Sequence, residues 1–167
     1  MKKIYYGRAV YDHKEINAVI KVLKNNSLSL TDGENVKQLE KIVSKMFGKK
    51  YGLMVNSGSS ALLLALKAVN FKKGSEIIIP CLNFGTAISS ITLSNLVPIF
   101  VDCEIDTLQI DIDKIEKKIT KKTKALLIPN LIGNLPNWKK IRQIANKYNL
   151  LVMEDSADTL GATINSR

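Results

Sequence analysis

From about residue 50 onward, short apolar runs alternate with segments of helical length, and this alternation restricts the chain to few folds. The runs are GLMV at 52–55, EIIIP at 76–80, VPIFVD at 97–102, ALLIP at 125–129 and LLVMED at 150–155. The segments between them that predict helices are 60–70, 86–95, 111–119 and 137–148. Apolar strands separated by helices are typical of a parallel sheet that is covered on both faces. The sequence therefore predicts an α/β fold with three αβα layers and a mainly parallel sheet.

The first 50 residues have a different pattern. Residues 13–25 and 34–47 are amphipathic and predict two helices. We therefore expect a helical segment over 1–50 and an α/β domain over 51–167. The whole chain has 167 residues, of which 46% are hydrophobic, and this is enough for one ordinary packed core.

The net charge of +10 comes from lysine, because the sequence has 22 lysines and only three arginines. Recognition of nucleic acids relies more on the planar guanidinium group of arginine. The densest lysine run, at 117–124, contains no aromatic residue that could stack on a base. The end of a helix, which favours cations, explains this run equally well. We therefore expect no nucleic-acid partner.

The sequence shows neither a targeting segment nor a set of metal ligands. No stretch approaches the roughly 20 uninterrupted apolar residues of a membrane span, and no apolar signal-peptide core follows Met1. The one histidine, His13, and two distant cysteines, Cys81 and Cys103, cannot supply a zinc or iron–sulfur ligand set. We expect a cytoplasmic protein with no membrane partner and no metal site.

Parallel sheets of this kind bind ligands outside the carboxyl ends of their strands, so the residues that follow each run are candidates for a site. In NSGSSAL at 56–62, Gly58 lies in a turn, and Ser59 and Ser60 begin a helix. A helix N-terminus with small hydroxyl residues can bind a phosphate through free N–H groups. The lysine of a Walker loop and the GxGxxG of a dinucleotide fold are both absent. An ordinary serine N-cap remains the alternative.

Two other loops complete the pattern. EDSAD at 154–158 places carboxylates directly after the last run, where they could fix the charge of a ligand, bind a metal or cap a helix. Phe84, after the second run, offers an aromatic face, although a core position would explain it too. A phosphate site, an aromatic face and an acid together suit a flat, phosphorylated heteroaromatic cation. Pyridoxal phosphate is such a molecule.

With these motifs in place, the sequence resembles the DegT/DnrJ/StrS family of nucleotide-sugar enzymes, which depend on pyridoxal phosphate and have the fold of aspartate aminotransferase. The resemblance starts at residues 5–23, which end in YDHKEINAVIKVL, and continues through SLTDGENVKQLEKIVSKMFGKKYGLMVNSGSSALLLAL and GSEIIIPCLNFGTAISSITLSNLVPIFVDCEIDTLQID to LLVMEDSADTLGA. It implies pyridoxal 5′-phosphate (PLP) or pyridoxamine 5′-phosphate (PMP) as cofactor, a nucleotide-linked 4-keto-6-deoxy sugar as substrate, and a role in making surface polysaccharides such as lipopolysaccharide O-antigen. It also implies a homodimer.

The resemblance also implies roles for single residues. Ser59 and Ser60, in the turn with Gly58, would hold the cofactor phosphate, and Phe84 would stack on the pyridine ring. Asp155 would pair with the protonated ring nitrogen, whose pKa a carboxylate raises. Asp158 stands three residues later, where the family's transaminases usually carry Gln or His.

Four features resemble the family's 3-dehydratases more than its transaminases, namely Asp158, NSGSSALLLAL at 56–66, the segment Gly7–Asp12 and the pair Gly133-Asn134. Two departures from the pattern are Asn130, where relatives commonly have His, and an extra residue in LIGNLPNW. The lysine that carries the cofactor, which is His in the dehydratases, is expected after Arg167. We therefore expect an incomplete chain that is inactive alone. The alternatives are a non-catalytic remnant of such an enzyme or a generic α/β domain that binds a phosphorylated metabolite.

Overall fold

The computed structural model describes residues 3, 5, 7–25, 30 and 33–164. The chain forms two compact units, Met1–Met54 and Val55–Arg167.

The first unit contains two helices, α1 (His13–Asn25) and α2 (Glu34–Met46), so both helix predictions for this region are confirmed. Helix α1 begins at a reciprocal capping arrangement. The N–H of Lys14 donates to Asp12 Oδ1 at 2.7 Å, and the N–H of Asp12 donates to Glu15 Oε2 at 2.8 Å. Two backbone donors at the helix start are satisfied in this way, which is why the helix begins here.

The apolar run at 52–55 is not a strand, and the prediction of one is wrong. The N–H of Met54 instead donates to Glu40 Oε1 in α2 at 2.7 Å. Gly52 approaches α2 so closely that a Cβ there would lie 2.5 Å from the Glu40 carbonyl oxygen. A strand needs a neighbouring strand for its backbone hydrogen bonds. Among the described residues none pairs with this segment.

The second unit alternates helices and strands. Its elements are α3 (Gly58–Ala68), β1 (Glu76–Pro80), α4 (Gly85–Leu93), β2 (Val97–Val101), α5 (Ile112–Ile115), β3 (Thr123–Pro129), α6 (Trp138–Lys147) and β4 (Leu151–Asp155). The four strands predicted after residue 70 are confirmed. The helix predicted over 111–119 is shorter, because the chain tightens into a 3₁₀ turn at Glu116–Lys118.

The four strands form one sheet in the order β2-β1-β3-β4, and every neighbouring pair is parallel. Alternate residues of the strands face opposite layers. Ile78 of β1 packs into a cluster with α5 and α6, whereas Ile77 and Ile79 pack into a cluster with α3 and α4. Helices thus cover both faces of the sheet, and the predicted three-layer α/β fold is confirmed.

No helix in the described part of the chain has the length and apolar character needed to cross a membrane.

Candidate functional site

The carboxyl ends of all four strands meet at one edge of the sheet, because the strands are parallel. From β1 the chain continues through α4 to β2 on one side, whereas from β3 it continues through α6 to β4 on the other. The packing clusters place α4 and α6 on opposite faces of the sheet. The point between β1 and β3 is therefore a topological switch point, where open α/β sheets form a ligand-binding crevice.

Helix α3 begins at this edge with a serine cap. Ser57 is the N-cap, and its Oγ accepts the N–H of Ser60 at 3.2 Å. The same Oγ lies 3.1 Å from the hydroxyl of Ser60. The serine cap is therefore present and is made by Ser57, whereas the binding of a phosphate by Ser59 and Ser60 stays a prediction. A Cβ added to Gly58 would meet no described protein atom within 4 Å, so there is open space at the start of the helix.

The N-terminus of α4 lies beside that of α3. The hydroxyl of Ser59 donates to Thr86 Oγ1 at 3.1 Å, which joins the first turns of the two helices. The two helices also pack against each other in one cluster on the same face of the sheet. Each N-terminus carries a partial positive charge and free N–H groups. Two such ends, side by side, can bind one anion more strongly than either alone.

Phe84 precedes α4 as its N-cap residue, and its side chain is 67% exposed. The alternative of a core position for this ring is therefore wrong. The N–H of Phe84 donates to Asn83 Oδ1 at 2.7 Å, which holds the turn. In the described part of the chain, the buried Nδ2 of Asn83 has no hydrogen-bond partner. A buried donor of this kind next to an exposed aromatic ring is a feature that a bound polar ligand would satisfy.

Asp155 ends β4, and the alternation along the strand decides which face its carboxylate occupies. Val152 packs on the α5 and α6 side, and Met153 packs on the α3 and α4 side. By the same alternation Glu154 belongs to the α6 side, and Asp155 belongs to the side of α3 and α4. Asp155 Oδ1 accepts the N–H of Ala157 at 3.1 Å, in a tight turn. The side chain of Asp155 is thus on the face where the two helix N-termini meet.

Asp158 follows in the same turn and binds the loop after β3. Its Oδ2 accepts the N–H of Ile132 at 3.0 Å. Ile132 has a φ of 51°, an uncommon value for a β-branched residue, so this bond stabilises a strained backbone. The described residues after β4, through 164, contain no helix, so the interpretation of the acidic motif as a helix cap does not apply. Among the described residues there is also no group of three or more His, Cys, Asp or Glu side chains that could hold a metal.

The serine and phenylalanine group and the aspartate group lie two strands apart. β3 separates β1 from β4, and Pro129 of β3 pairs with Asp155. At about 4.8 Å per strand, the ends of β1 and β4 are roughly 10 Å apart. A small molecule with a ring and a phosphate arm can bridge such a distance and contact both groups.

Basic side chains are far from these loops in the sequence. There is no lysine or arginine between Lys50 and Lys67, between Lys73 and Lys114, or between Lys147 and Arg167. At the starts of α3 and α4, the groups that could hold a phosphate are therefore N–H and hydroxyl groups. The available groups, namely helix N-termini, serine hydroxyls, an exposed aromatic ring and a carboxylate, suit a phosphorylated aromatic cation, and the residues fit PLP or PMP.

Sequence reasoning assigned no contact to several residues of this edge. Thr86 joins the starts of α3 and α4, and Asn83 holds the turn before α4. Trp138, at the start of α6, donates from Nε1 to Asn130 Oδ1 at 2.8 Å. The signal that could have identified Thr86 is its position in the first turn of a helix that follows a strand. The pairing of Asn130 with Trp138 has no sequence signal, because the two residues meet only across the connection between β3 and α6.

Comparison with known proteins gives a consistent result. Residues 10–167 match the DegT/DnrJ/EryC1/StrS aminotransferase family. The chain is 37% identical over 165 residues to a GDP-4-keto-6-deoxy-D-mannose 3-dehydratase of Yersinia pseudotuberculosis, covering 95% of this chain and 42% of that protein. It is 36% identical over 148 residues to a 3-oxo-glucose-6-phosphate:glutamate aminotransferase of Bacillus subtilis, covering 89% of this chain and 33% of that protein.

Solved structures show the same relationship. A crystal structure of GDP-4-keto-6-deoxymannose-3-dehydratase with a trapped PLP-glutamate geminal diamine superimposes with a TM-score of 0.91 at 37% identity, over 99% of this chain and 44% of that one. The chain therefore spans less than half the length of the relatives that it matches.

Proposed function

The chain belongs to the DegT/DnrJ/EryC1/StrS aminotransferase family, and from this we propose that it forms the cofactor-binding edge of a PLP- or PMP-dependent enzyme. The substrate is a nucleotide-linked 4-keto-6-deoxy sugar, and the pathway is the synthesis of a surface polysaccharide. The 3-dehydratase and aminotransferase names of its relatives support this assignment. The residues 51–167 are the cofactor-binding part, and 1–50 are a helical segment that precedes it.

One observation carries the proposal. Alternation along β4 puts Asp155 on the face of the sheet where the N-termini of α3 and α4 meet. An anion-binding corner and a carboxylate thus share one side of one crevice, about 10 Å apart by the spacing of strands. A generic serine cap or an isolated acidic turn would not require both groups to be on the same face.

The phosphate contacts fall to the first turn of α3. Gly58 leaves room for the close approach of an anion, since a Cβ there would project into open space. The donors are the N–H groups at Gly58 and Ser59 and the hydroxyl of Ser60, and the Ser59 hydroxyl joins them when its proton turns from Thr86 Oγ1 to the phosphate. Thr86 Oγ1 accepts a hydrogen bond from the Ser59 hydroxyl, and this bond orients the Ser59 side chain towards the junction of α3 and α4.

Phe84 and Asp155 hold the ring of the cofactor. The exposed ring of Phe84 stacks on the pyridine face. The carboxylate of Asp155 accepts the N–H of the protonated ring nitrogen and, as a nearby negative charge, keeps it protonated. When bound, the protonated cofactor supplies an electron sink that stabilises negative charge on the substrate carbon. Asp158 would contact the cofactor beside Asp155, and its Oδ2 also accepts the N–H of Ile132 at 3.0 Å.

Within the family we assign the chain to the 3-dehydratases. Asp158 supports this, because transaminases of the family usually have Gln or His at that position, and so do the segment Gly7–Asp12 and the pair Gly133-Asn134. Aminotransferase activity is the second candidate, because a relative with that activity is 36% identical. Analysis of the sugar product separates the two, since loss of the 3-hydroxyl indicates a dehydratase and gain of an amino group indicates an aminotransferase.

A spectral titration with PMP tests the cofactor assignment. We expect the absorbance of PMP to change on binding to the protein, and we expect Asp155→Asn to abolish the change attributable to the protonated ring. Asp102→Asn is a matched control, since Asp102 follows β2 at the same edge and its Oδ1 accepts the N–H of Cys103. No absorbance change with the unaltered protein would refute the proposal. Binding that survives Asp155→Asn unaltered would favour the generic phosphometabolite domain.

The assembly and location of the protein are further proposals. We assign a homodimer in the cytoplasm, with no nucleic-acid and no membrane partner. Sedimentation equilibrium measures the oligomeric state, and the expected mass is twice that of one protomer. A monomeric mass at micromolar concentration would contradict it.

A further inference from the structure

Asn130, the residue after β3, has a buried side chain whose polar atoms are all bonded. Only 2% of the residue is exposed. Its Nδ2 donates to Glu154 Oε1 at 2.7 Å and to Ser156 Oγ at 3.1 Å. Its Oδ1 accepts the Nε1–H of Trp138 at 2.8 Å. Glu154 is exposed and Ser156 and Trp138 are partly buried, so the network joins one buried amide to partners nearer the surface. Because every polar atom of the Asn130 amide is bonded, these contacts hold it in one arrangement.

The indole of Trp138 determines which way this amide faces. An indole N–H can only donate, so the atom of Asn130 next to it must be the carbonyl oxygen. The NH₂ group then faces Glu154, whose carboxylate can only accept when ionised. Trp138 itself packs against the cluster under α5 and α6. The orientation of Asn130 is therefore set by a residue that packs against the core of the unit.

The partners of Asn130 lie on both sides of Asp155 in the sequence. Its side chain binds Glu154 and Ser156, and its backbone N–H donates to the carbonyl oxygen of Asp155 at 2.9 Å. Ser156 also donates to Glu154 Oε1 at 2.6 Å, which closes the group. One residue thus holds three consecutive residues of the β4 end.

The side-chain network lies on the opposite face of the sheet from the proposed cofactor. Glu154 alternates with Asp155 along β4 and belongs to the α6 side, where Trp138 also packs. The side chain of Asp155 belongs to the side of α3 and α4. Asn130 therefore holds the backbone of Asp155 from the face of the sheet opposite the proposed cofactor. The polar atoms of its own side chain are already bonded within the protein.

We infer that Asn130, bonded to Trp138, Glu154 and Ser156, is a positioning residue that fixes the backbone and thereby the carboxylate of Asp155. This inference rests on the proposed role of Asp155 towards the cofactor. It assigns Asn130 an indirect effect on cofactor binding.

Reversal of the hydrogen bond tests the inference. Asn130→Asp is isosteric, removes both N–H donors and sets a second carboxylate against Glu154. In the double variant Asn130→Asp/Glu154→Gln, the new amide at position 154 can donate to the new carboxylate at position 130, which restores the hydrogen bond in the opposite direction. Gln109→Ala is the control, since Gln109 is also a buried amide. Its Nε2 donates at 3.1 Å to the carbonyl oxygen of Leu131, the residue that follows Asn130. Ser156→Ala removes one acceptor of the network and serves if Asn130→Asp does not fold.

Two signals are measured for each variant. Trp138 is the only tryptophan in the sequence, so the fluorescence emission reports on the network without any cofactor. Titration with PMP reports on Asp155 through the affinity and through the absorbance spectrum of the bound form. Asp155→Asn provides the reference spectrum for a ring nitrogen without its carboxylate.

We expect Asn130→Asp to shift the tryptophan emission, to weaken PMP binding about tenfold or more, and to change the bound spectrum towards that of Asp155→Asn. The double variant should restore all three signals, and Gln109→Ala should leave the affinity and the spectrum unchanged. Ser156→Ala should cause changes in the same direction that are smaller.

Two results would overturn the inference alone. The first is PMP binding that depends on Asp155 but is unaltered by Asn130→Asp. If Asn130→Asp does not fold, the same result with Ser156→Ala counts in its place. The other is a loss in Asn130→Asp that the double variant does not reverse. Failure of the unaltered protein to bind PMP would instead overturn the proposed function and the inference together.

Discussion

Two adjacent acids at the end of β4 have different surroundings because neighbouring residues of a strand face opposite sides of the sheet. Glu154 accepts hydrogen bonds from Asn130 and Ser156 on the side of α6. Asp155 belongs to the side of α3 and α4, where the helix N-termini meet. The sequence motif ED is one feature in the chain, but the fold divides it into a structural acid and a candidate cofactor ligand.

Gly58 provides a prediction at the residue scale. Since a Cβ there would meet no described atom within 4 Å, Gly58→Ala should leave the fold intact and keep or raise the free energy of unfolding, by up to about 1 kcal/mol. The same methyl group would occupy the space proposed for the phosphate. PMP affinity should therefore fall about tenfold or more, measured by spectral titration.

Gly33→Ala is the matched control for this prediction. Gly33 precedes α2 as its N-cap residue, and a Cβ there also meets no described atom within 4 Å. Its substitution should leave PMP affinity unchanged. Unaltered affinity in Gly58→Ala would argue against a phosphate at the start of α3.

At the scale of the element, three helices of the α/β unit end in the same way. α3, α4 and α6 are each followed, after one C-cap residue, by an asparagine with positive φ: Asn70 at 48°, Asn95 at 58° and Asn149 at 52°. Asparagine tolerates this left-handed conformation better than most residues, and it ends a helix as glycine does. The sequence alone carries this stop signal, which explains why the ends of these helices fall close to the predicted positions.

The junction between the 3₁₀ turn and α6 provides a prediction at the element scale. Glu116 Oε2 accepts hydrogen bonds from Lys147 Nζ and from the hydroxyl of Tyr148, each at 2.8 Å. The bond from Lys147, then that from Tyr148, lowers the pKa of Glu116 below its ordinary value of 4.5. The pKa of Lys147 is raised above 10.5, chiefly by the bond to Glu116.

These shifts fix the pH range in which the contact stabilises the fold. A carboxylate with a lowered pKa stabilises the folded state above its unfolded pKa, and this stability is lost as the pH falls through the folded pKa. A lysine with a raised pKa stabilises the folded state below its unfolded pKa, and this stability is lost as the pH rises through the folded pKa. The contact should therefore act between about pH 4.5 and about pH 10.5.

Glu116→Gln should lower the urea midpoint of unfolding at about pH 7, and the difference from the unaltered protein should shrink at about pH 3. The effect should be small, because the pair is solvent-exposed and salt screens it. Asp113→Asn, on the preceding turn, is the control for loss of a carboxylate. A difference that persists undiminished in acid would show that the effect does not arise from the charge of Glu116.

At the scale of the whole molecule, the charges of the α/β unit are segregated along the chain. Its lysines cluster in the segments before the strands, at 67–73, 117–124 and 139–147, whereas the segments after the strands contain acids and hydroxyl residues. Because the strands are parallel, this order in sequence places the lysines at 67–73 and 117–124 towards the edge of the sheet opposite the proposed site. The net charge of +10 is therefore not a property of the site.

The charge leads to a prediction about nucleic acids. Lysines without interleaved aromatic residues give only non-specific contacts with phosphates, which are weak at physiological salt, with a Kd of about 10⁻⁴ to 10⁻⁶ M. We expect about 0.1 μM protein to leave the electrophoretic mobility of duplex DNA unchanged at about 0.15 M salt. A shifted band under these conditions would contradict the expectation of no nucleic-acid partner.

Most of the fold was predictable from local pattern. The strands β1 to β4 are continuous apolar runs, and the helices carry their own start and stop residues, so their positions follow from the chain itself. The run at 52–55 has the same apolar character but is not a strand, because Glu40 of α2 takes the backbone donor of Met54. Whether an apolar run becomes a strand depends on a partner that sequence periodicity does not reveal.

The site divides in the same way. The sequence alone determined the residue types at the strand ends, including the serines of α3, Phe84, Asp155 and Asp158, and the resemblance to a family that matches over residues 10–167. Only the tertiary structure decided that Thr86 joins α3 to α4, that Asp155 and Glu154 serve opposite faces, and that Asn130 holds the end of β4. The physical reason is that residue types and helix signals are local, whereas these contacts join residues up to 27 positions apart that meet only when the sheet is assembled.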